Sequence, residues 1–160
     1  GTCTVTATKA GDGDYAEATA TLDITVTETA PSLSGFNDIN KTYDDAAFSL
    51  TAPTSPSGGA FTYSSSNTAV ATISGSTVTI VGAGSSTITA TQAADGAYAG
   101  ASVTALLTVA EASQAAFTVS ASPTSIVSLT GTSTLSTSGG SGEGEVSFDT
   151  TGDCTIEGTT

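Results

Sequence analysis

Apolar and polar residues alternate with a period of two through much of the chain. The pattern runs through Thr4-Val5-Thr6-Ala7-Thr8, Leu22-Asp23-Ile24-Thr25-Val26, Thr77-Val78-Thr79-Ile80-Val81, Thr87-Ile88-Thr89-Ala90-Thr91 and residues 103–109. Successive side chains of an extended strand point to opposite faces, so this alternation, rich in β-branched residues, predicts strands with one face on a core and the other in water. Turn residues separate them. Ser74-Gly75-Ser76 predicts a tight hairpin between residues 70–73 and 77–81, Gly82-Ala83-Gly84 turns the chain into the next strand, and residues 53–59 and 138–144 read as loops. No stretch keeps helical periodicity beyond a turn or two, so the expected fold class is all-β. Strict alternation with recurring Val, Ile and Leu also argues against a disordered Ser/Thr-rich stalk.

The same text occurs twice. Residues 84–111, GSSTITATQAADGAYAGASVTALLTVAE, repeat residues 1–28, GTCTVTATKAGDGDYAEATATLDITVTE, with 15 of 28 positions identical at an offset of 83. Residues 50–64 run parallel to 135–149 at an offset of 85, and residues 71–77 (ATISGST) to 154–160 (CTIEGTT) at 83. A period a little over 80 residues divides the chain into three parts. Residues 30–112 are expected to form a complete domain, residues 1–29 the C-terminal half of a domain, and residues 113–160 the N-terminal half of another, completed by the next copy. Joined, the two halves lack only the counterpart of residues 78–83, about six residues. The chain therefore reads as starting and stopping in mid-domain. It is expected to be either a separate subunit that rebuilds the split domain with its neighbours or a window of a long tandem chain.

Short strands with turns every 8 to 12 residues, in a unit of about 80, predict a small antiparallel β-sandwich. Residues 61–91, FTYSSSNTAVATISGSTVTIVGAGSSTITAT, resemble the bacterial immunoglobulin-like (Big-type) domain. Shared with that pattern are an aromatic strand, Ser-Ser-Asn followed by Val-Ala-Thr-Ile, a hairpin, and a Gly-led strand ending in Ile-Thr-Ala. The resemblance implies tandem immunoglobulin-like β-sandwiches, one whole domain flanked by two half-domains. It also implies an extracellular or cell-surface location in bacteria, with stalk, adhesin or filament roles.

Charge narrows the partners. Fifteen acidic residues stand against two basic ones, Lys9 and Lys41, with no His and a net charge of −13. So acidic a chain repels phosphate backbones and anionic lipid, so neither nucleic acid nor membrane insertion is expected. No apolar run approaches the roughly 18 residues of a membrane helix. Without His or Arg the chain holds no nucleophilic triad and no phosphate clamp, and acids such as Asp44/Asp45 or Glu143/Glu145 read as solvated turn residues, so no enzyme is expected.

Two constellations remain. By the repeat, Cys3 takes the place of Ser86 and Cys154 that of Ala71, two strand positions of one domain. A disulfide between Cys3 and Cys154 of neighbouring copies is therefore expected, in an oxidising exterior, against the alternative of two unrelated thiols. Asp12-Gly13-Asp14 resembles the opening of a calcium loop but lacks the closing Glu of the twelve-residue pattern. Asp12, Asp14 and Glu28 are the candidate ligands of a calcium ion at a domain junction; the competing reading is a turn with Asp in its usual place. No other cofactor is expected.

The function expected from these features is that of a structural repeat unit of an extracellular bacterial filament or adhesin stalk, whose partner is itself. The alternative is an adhesin module that binds a glycan or a surface through loops such as residues 53–59. Those loops are Ser, Gly, Thr and Pro without aromatic platforms, which favours the structural role.

Overall fold

The computed structural model describes residues 1–126 and 131–157. The chain divides into two units, Gly1–Glu111 and Ala112–Thr160. The described residues contain strands and no helix. In the first unit these are β1 (Thr2–Lys9), β2 (Ala18–Thr25), β3 (Ile39–Thr42), β4 (Phe48–Ser49), β5 (Phe61–Ser65), β6 (Ala71–Ser74), β7 (Thr77–Ile80), β8 (Gly84–Gln92) and β9 (Ala101–Ala110). The second unit carries β10 (Phe117–Ser122) and β11 (Thr134–Gly139).

Strands β3 to β9 build an immunoglobulin-like sandwich from a four-stranded sheet, β3-β9-β8-β5, and a three-stranded sheet, β4-β7-β6. The period-two pattern explains how the two sheets meet. In β8, Ser86, Ile88, Ala90 and Gln92 face inward, and Ala105, Leu107 and Val109 of β9 join them; the Thr residues between face water. Leu50, Val70, Ala71 and Val78 close the core from the other side, with Phe36, Phe48 and Tyr63 packed on its margin. Ile88, Leu107 and Val78 are wholly buried, each stabilising the fold by about 1.5–3 kcal/mol.

The hairpin predicted at Ser74-Gly75-Ser76 joins β6 to β7, with Ser74 opposite Thr77. Gly75 supplies the left-handed backbone at φ 58° that the two-residue turn requires. One pairing departs from the all-antiparallel sandwich expected: β3 pairs with β9 in parallel, Ile39 opposite Leu107. The alternation of a four-residue edge strand specifies which face is apolar but not the direction of its neighbour, and a ladder forms either way.

β1 and β2 form a separate two-stranded antiparallel sheet, tied to the sandwich at Thr29. The Thr29 N–H donates to the Ala97 carbonyl at 2.8 Å, and the Ala99 N–H donates to the Thr29 carbonyl at 3.0 Å. In the second unit β10 pairs antiparallel with β11, Phe117 opposite Gly139. Residues 140–157 contain no strand. That stretch includes the counterparts of β5, residues 146–150, and of β6, residues 154–157. In the sandwich β5 pairs with β8 and β6 with β7. Of the segment 154–160 that repeats 71–77, residues 158–160 lie outside the described residues, as do 127–130 of the expected half-domain.

Candidate functional site

The first candidate site is the β1–β2 sheet, and its ladder decides what it is. Thr2 lies opposite Thr25, Val5 opposite Leu22 and Lys9 opposite Ala18. Ser85 lies opposite Thr108, Ile88 opposite Ala105 and Gln92 opposite Ala101. Every pair of the first ladder is a pair of the second displaced by 83, so the hairpin reproduces the register of the β8–β9 pair of the sandwich. The inward face of β8–β9 thus has a known counterpart: Cys3, Val5, Ala7 and Lys9 on β1, with Leu22, Ile24 and Val26 along β2 and its end.

Burial on the two faces is opposite. Val5 is 48 % exposed, Leu22 65 % and Ile24 47 %, whereas their counterparts Ile88, Ala105 and Leu107 are buried to 3 % exposure or less. Contiguous exposed apolar residues of this kind, on a sheet whose outer edges are unpaired among the described residues, are the usual mark of an interaction surface. The opposite face of the hairpin is built for water. There the Thr4 hydroxyl donates to the Asp23 carboxylate at 2.5 Å.

Gln92, only 2 % exposed, is the polar centre of the corresponding end of the sandwich. Its Nε2 donates to the carbonyls of Ser57 and Gly59, both at 2.9 Å, and its Oε1 accepts from the Ser55 hydroxyl at 2.6 Å. Asp95 Oδ2 accepts the Gly58 N–H at 3.1 Å. Together they clamp the loop of residues 53–59 onto the end of β8, while Thr54, Pro56 and Gly58 of the loop stay exposed. Nothing in the composition of residues 53–59 announces the clamp. Its signal is Gln92 itself, a polar residue at an inward step of the alternation Ser86, Ile88, Ala90.

The cysteines are free and exposed within one chain. Their counterparts are buried on opposite sheets of the sandwich: Ser86 on β8 and Ala71 on β6. Both touch the backbone of Asn67. The Ser86 Oγ accepts the Asn67 N–H at 3.0 Å, and the Ala71 N–H donates to the Asn67 carbonyl at 3.1 Å.

Asp12 and Asp14 lie in the turn between β1 and β2. Asp12 Oδ1 accepts the N–H groups of Asp14, at 3.0 Å, and Tyr15, at 2.9 Å, as a turn aspartate does. Asp12, Asp14 and Glu28 are all exposed. Among the described residues no group of three or more His, Cys, Asp or Glu side chains is gathered to hold a metal ion.

Residues 51–94 match the family model of the intimin immunoglobulin-like domain. The intimin-type segment contains β5 to β8 and the clamped loop, including Ser86, Ile88 and Gln92. Its last residues, 84–94, are those repeated in residues 1–11. Intimin-like domains are modules of bacterial surface adhesins, and over residues 51–94 the chain is similar to one. No curated protein and no solved structure matches the chain.

Proposed function

We propose that the chain is a structural repeat unit of an extracellular bacterial filament or adhesin stalk. It associates end to end when the exposed β1–β2 face of one copy is covered by residues 113–157 of the next, rebuilding an immunoglobulin-like sandwich. The observation that carries this proposal is the shared register of β1–β2 and β8–β9 combined with their opposite burial. Residues 146–150 and 154–157 add support, since they repeat segments that are strands in the sandwich and are irregular in the second unit. The place of β5 is beside β8, so the counterpart of β5 completes a ladder on the outer edge of β1. Addition of a strand from a second chain to an exposed edge is an established mode of assembly.

In the rebuilt sandwich Cys3 and Cys154 take the buried sites of Ser86 and Ala71 and form a disulfide between copies. The two thiols lose two protons and two electrons, supplied to an exchanging disulfide such as oxidised glutathione, and one S–S bond forms as another is reduced. Residues 1–29, 30–112 and 113–160 are then the back half, whole and front half of successive domains.

Denaturing electrophoresis of native material, with and without reductant, tests the reading together with sedimentation of the native chain. A ladder that collapses on reduction to the mass of one chain is expected for stitched subunits. A very large band that survives reduction makes the 160 residues one period of a tandem chain. A single-chain band without reductant, from a chain that sediments as a monomer at every concentration, overturns end-to-end association.

A further inference from the structure

Lys9 occupies the place of Gln92 in the repeated ladder: Lys9 lies opposite Ala18 as Gln92 lies opposite Ala101. Gln92 is buried and spends both Nε2 hydrogens on the carbonyls of Ser57 and Gly59. Lys9 is exposed in the single chain. At the offset of 85 that relates residues 50–64 to 135–149, Ser55, Ser57 and Gly59 correspond to Gly140, Gly142 and Gly144.

The exchanges on the two sides match in chemistry. Gln offers donors and an acceptor, and its acceptor Oε1 is satisfied by the Ser55 hydroxyl. A lysine ammonium offers three donors and no acceptor, and the position of Ser55 is taken by Gly140, which has no hydroxyl. The two backbone carbonyls that receive the donors are kept whatever the side chain.

Gly144 supplies an independent observation. A Cβ on Gly59 would collide with the carbonyl oxygen of Ala93, directly after Gln92, so only glycine fits there. A Cβ on Gly144 would meet nothing within 4 Å. The requirement for glycine is visible in the sandwich and has no local cause in the second unit, as expected if the chain that crowds Gly144 belongs to another copy. Beside it runs an open groove lined by Phe117, Gly140, Gly142, Gly144, Glu145 and Val146. Glu143 and Glu145 flank the carbonyls, and Lys9 is one of only two basic residues in the chain. A cation taken out of water needs such partners.

We propose that Lys9 of one copy enters this groove of the next and donates to the carbonyls of Gly142 and Gly144, with Glu143 and Glu145 compensating its charge. It clamps the loop of the second copy as Gln92 clamps residues 53–59. This clasp rests on the end-to-end association proposed above and names the polar contact that selects its partner.

A brief pulse of an amine-acylating ester, read by peptide mass spectrometry on the associated chain, tests the clasp. Lys41, whose Nζ lies 4.9 Å from the centre of the Phe48 ring, is the internal reference. On association Lys9 is expected to lose acylation about tenfold or more while Lys41 is unchanged. Losing hydrogen bonds to a charged group, Lys9→Ala is expected to weaken association about tenfold to a hundredfold. Lys9→Gln, which keeps two donors, falls between, and Lys9→Glu does not associate. If the chain associates but Lys9 stays as reactive as in the dilute monomer, or Lys9→Glu assembles as tightly as the native chain, the clasp is overturned and end-to-end association stands. If the native chain never associates, both fall.

Discussion

Val5 and Ile88 hold the same position in the same ladder, 83 residues apart, and one is half exposed while the other is wholly buried. Burial here is decided by what lies across the sheet, not by the strand. Ile88→Ala leaves a cavity in a closed core and is expected to cost about 2–5 kcal/mol in denaturant unfolding. Val5→Ala is expected to stay within about 0.5 kcal/mol in the dilute chain. Val5→Asp leaves the unfolding midpoint of the monomer unchanged and abolishes association in sedimentation. An equal loss of monomer stability from Val5→Ala and Ile88→Ala would show that the hairpin face is already covered.

Gly59 and Gly144 form a second such pair. Gly59→Ala forces a methyl against the Ala93 carbonyl, so the loop must move and the thermal midpoint is expected to fall by several degrees. Gly144→Ala should leave the monomer midpoint unaltered and slow or block end-to-end assembly. Scanning calorimetry of the dilute chains, with sedimentation of the concentrated ones, separates the two effects.

Replacing Gln92 by Ala removes three hydrogen bonds and strands the carbonyls of Ser57 and Gly59. A cost of about 1–3 kcal/mol is expected. Amide exchange should quicken first in residues 53–60, while the β6–β7 hairpin keeps its protection. Uniformly faster exchange across the sandwich would mean that Gln92 supports the whole core and not the loop alone.

Burial raises the Tyr63 phenol above its ordinary value of 10.0. Its ring packs near Phe36 and Phe61, with centroids at 6.2 and 6.5 Å. The unfolded chain therefore releases this proton first. The stability it contributes is whole below the ordinary phenol value and is lost as pH rises through the higher folded one. Thermal unfolding followed from pH 7 to pH 11 should fall less steeply for Tyr63→Phe than for the native chain. Parallel curves would assign the alkaline loss to other groups.

Cys3→Ser and Cys154→Ser are each expected to abolish the reducible ladder while leaving non-covalent association measurable by sedimentation. Association lost together with the ladder would make the disulfide the cause of assembly and not its lock.

Much of the sandwich could be read from the chain because its signal is local. Alternation placed β1, β2, β7, β8 and β9, and Ser74-Gly75-Ser76 placed the β6–β7 turn, since both depend on what neighbouring residues prefer. The parallel pairing of β3 with β9 depends on which chain lies beside a four-residue edge, and Ile39 to Thr42 carry no mark of it. Residues 146–150 make the same point in reverse. Val146 and Phe148 alternate with polar residues as Phe61 and Tyr63 do, yet a strand exists only when its ladder has a second side. The repeat points to Cys3 and Cys154 and aligns Lys9 with Gln92 and Gly144 with Gly59, whereas the burial of Gln92 and its bonds to the Ser57 and Gly59 carbonyls are visible only in the folded sandwich.

The β1–β2 face and the groove of residues 140–146 are unlike surfaces, one apolar with a single cation and the other glycine-lined and acidic. A contact between the face of one copy and the groove of another joins two unlike surfaces, and where such contacts do not close on themselves one of each is left unfilled. A fibre assembled this way has direction. One tip always presents Lys9 and the other always presents Glu145, so growth, anchoring and termination at the two tips are chemically distinct events, and a chain altered at only one of these surfaces would stop a fibre from one side alone.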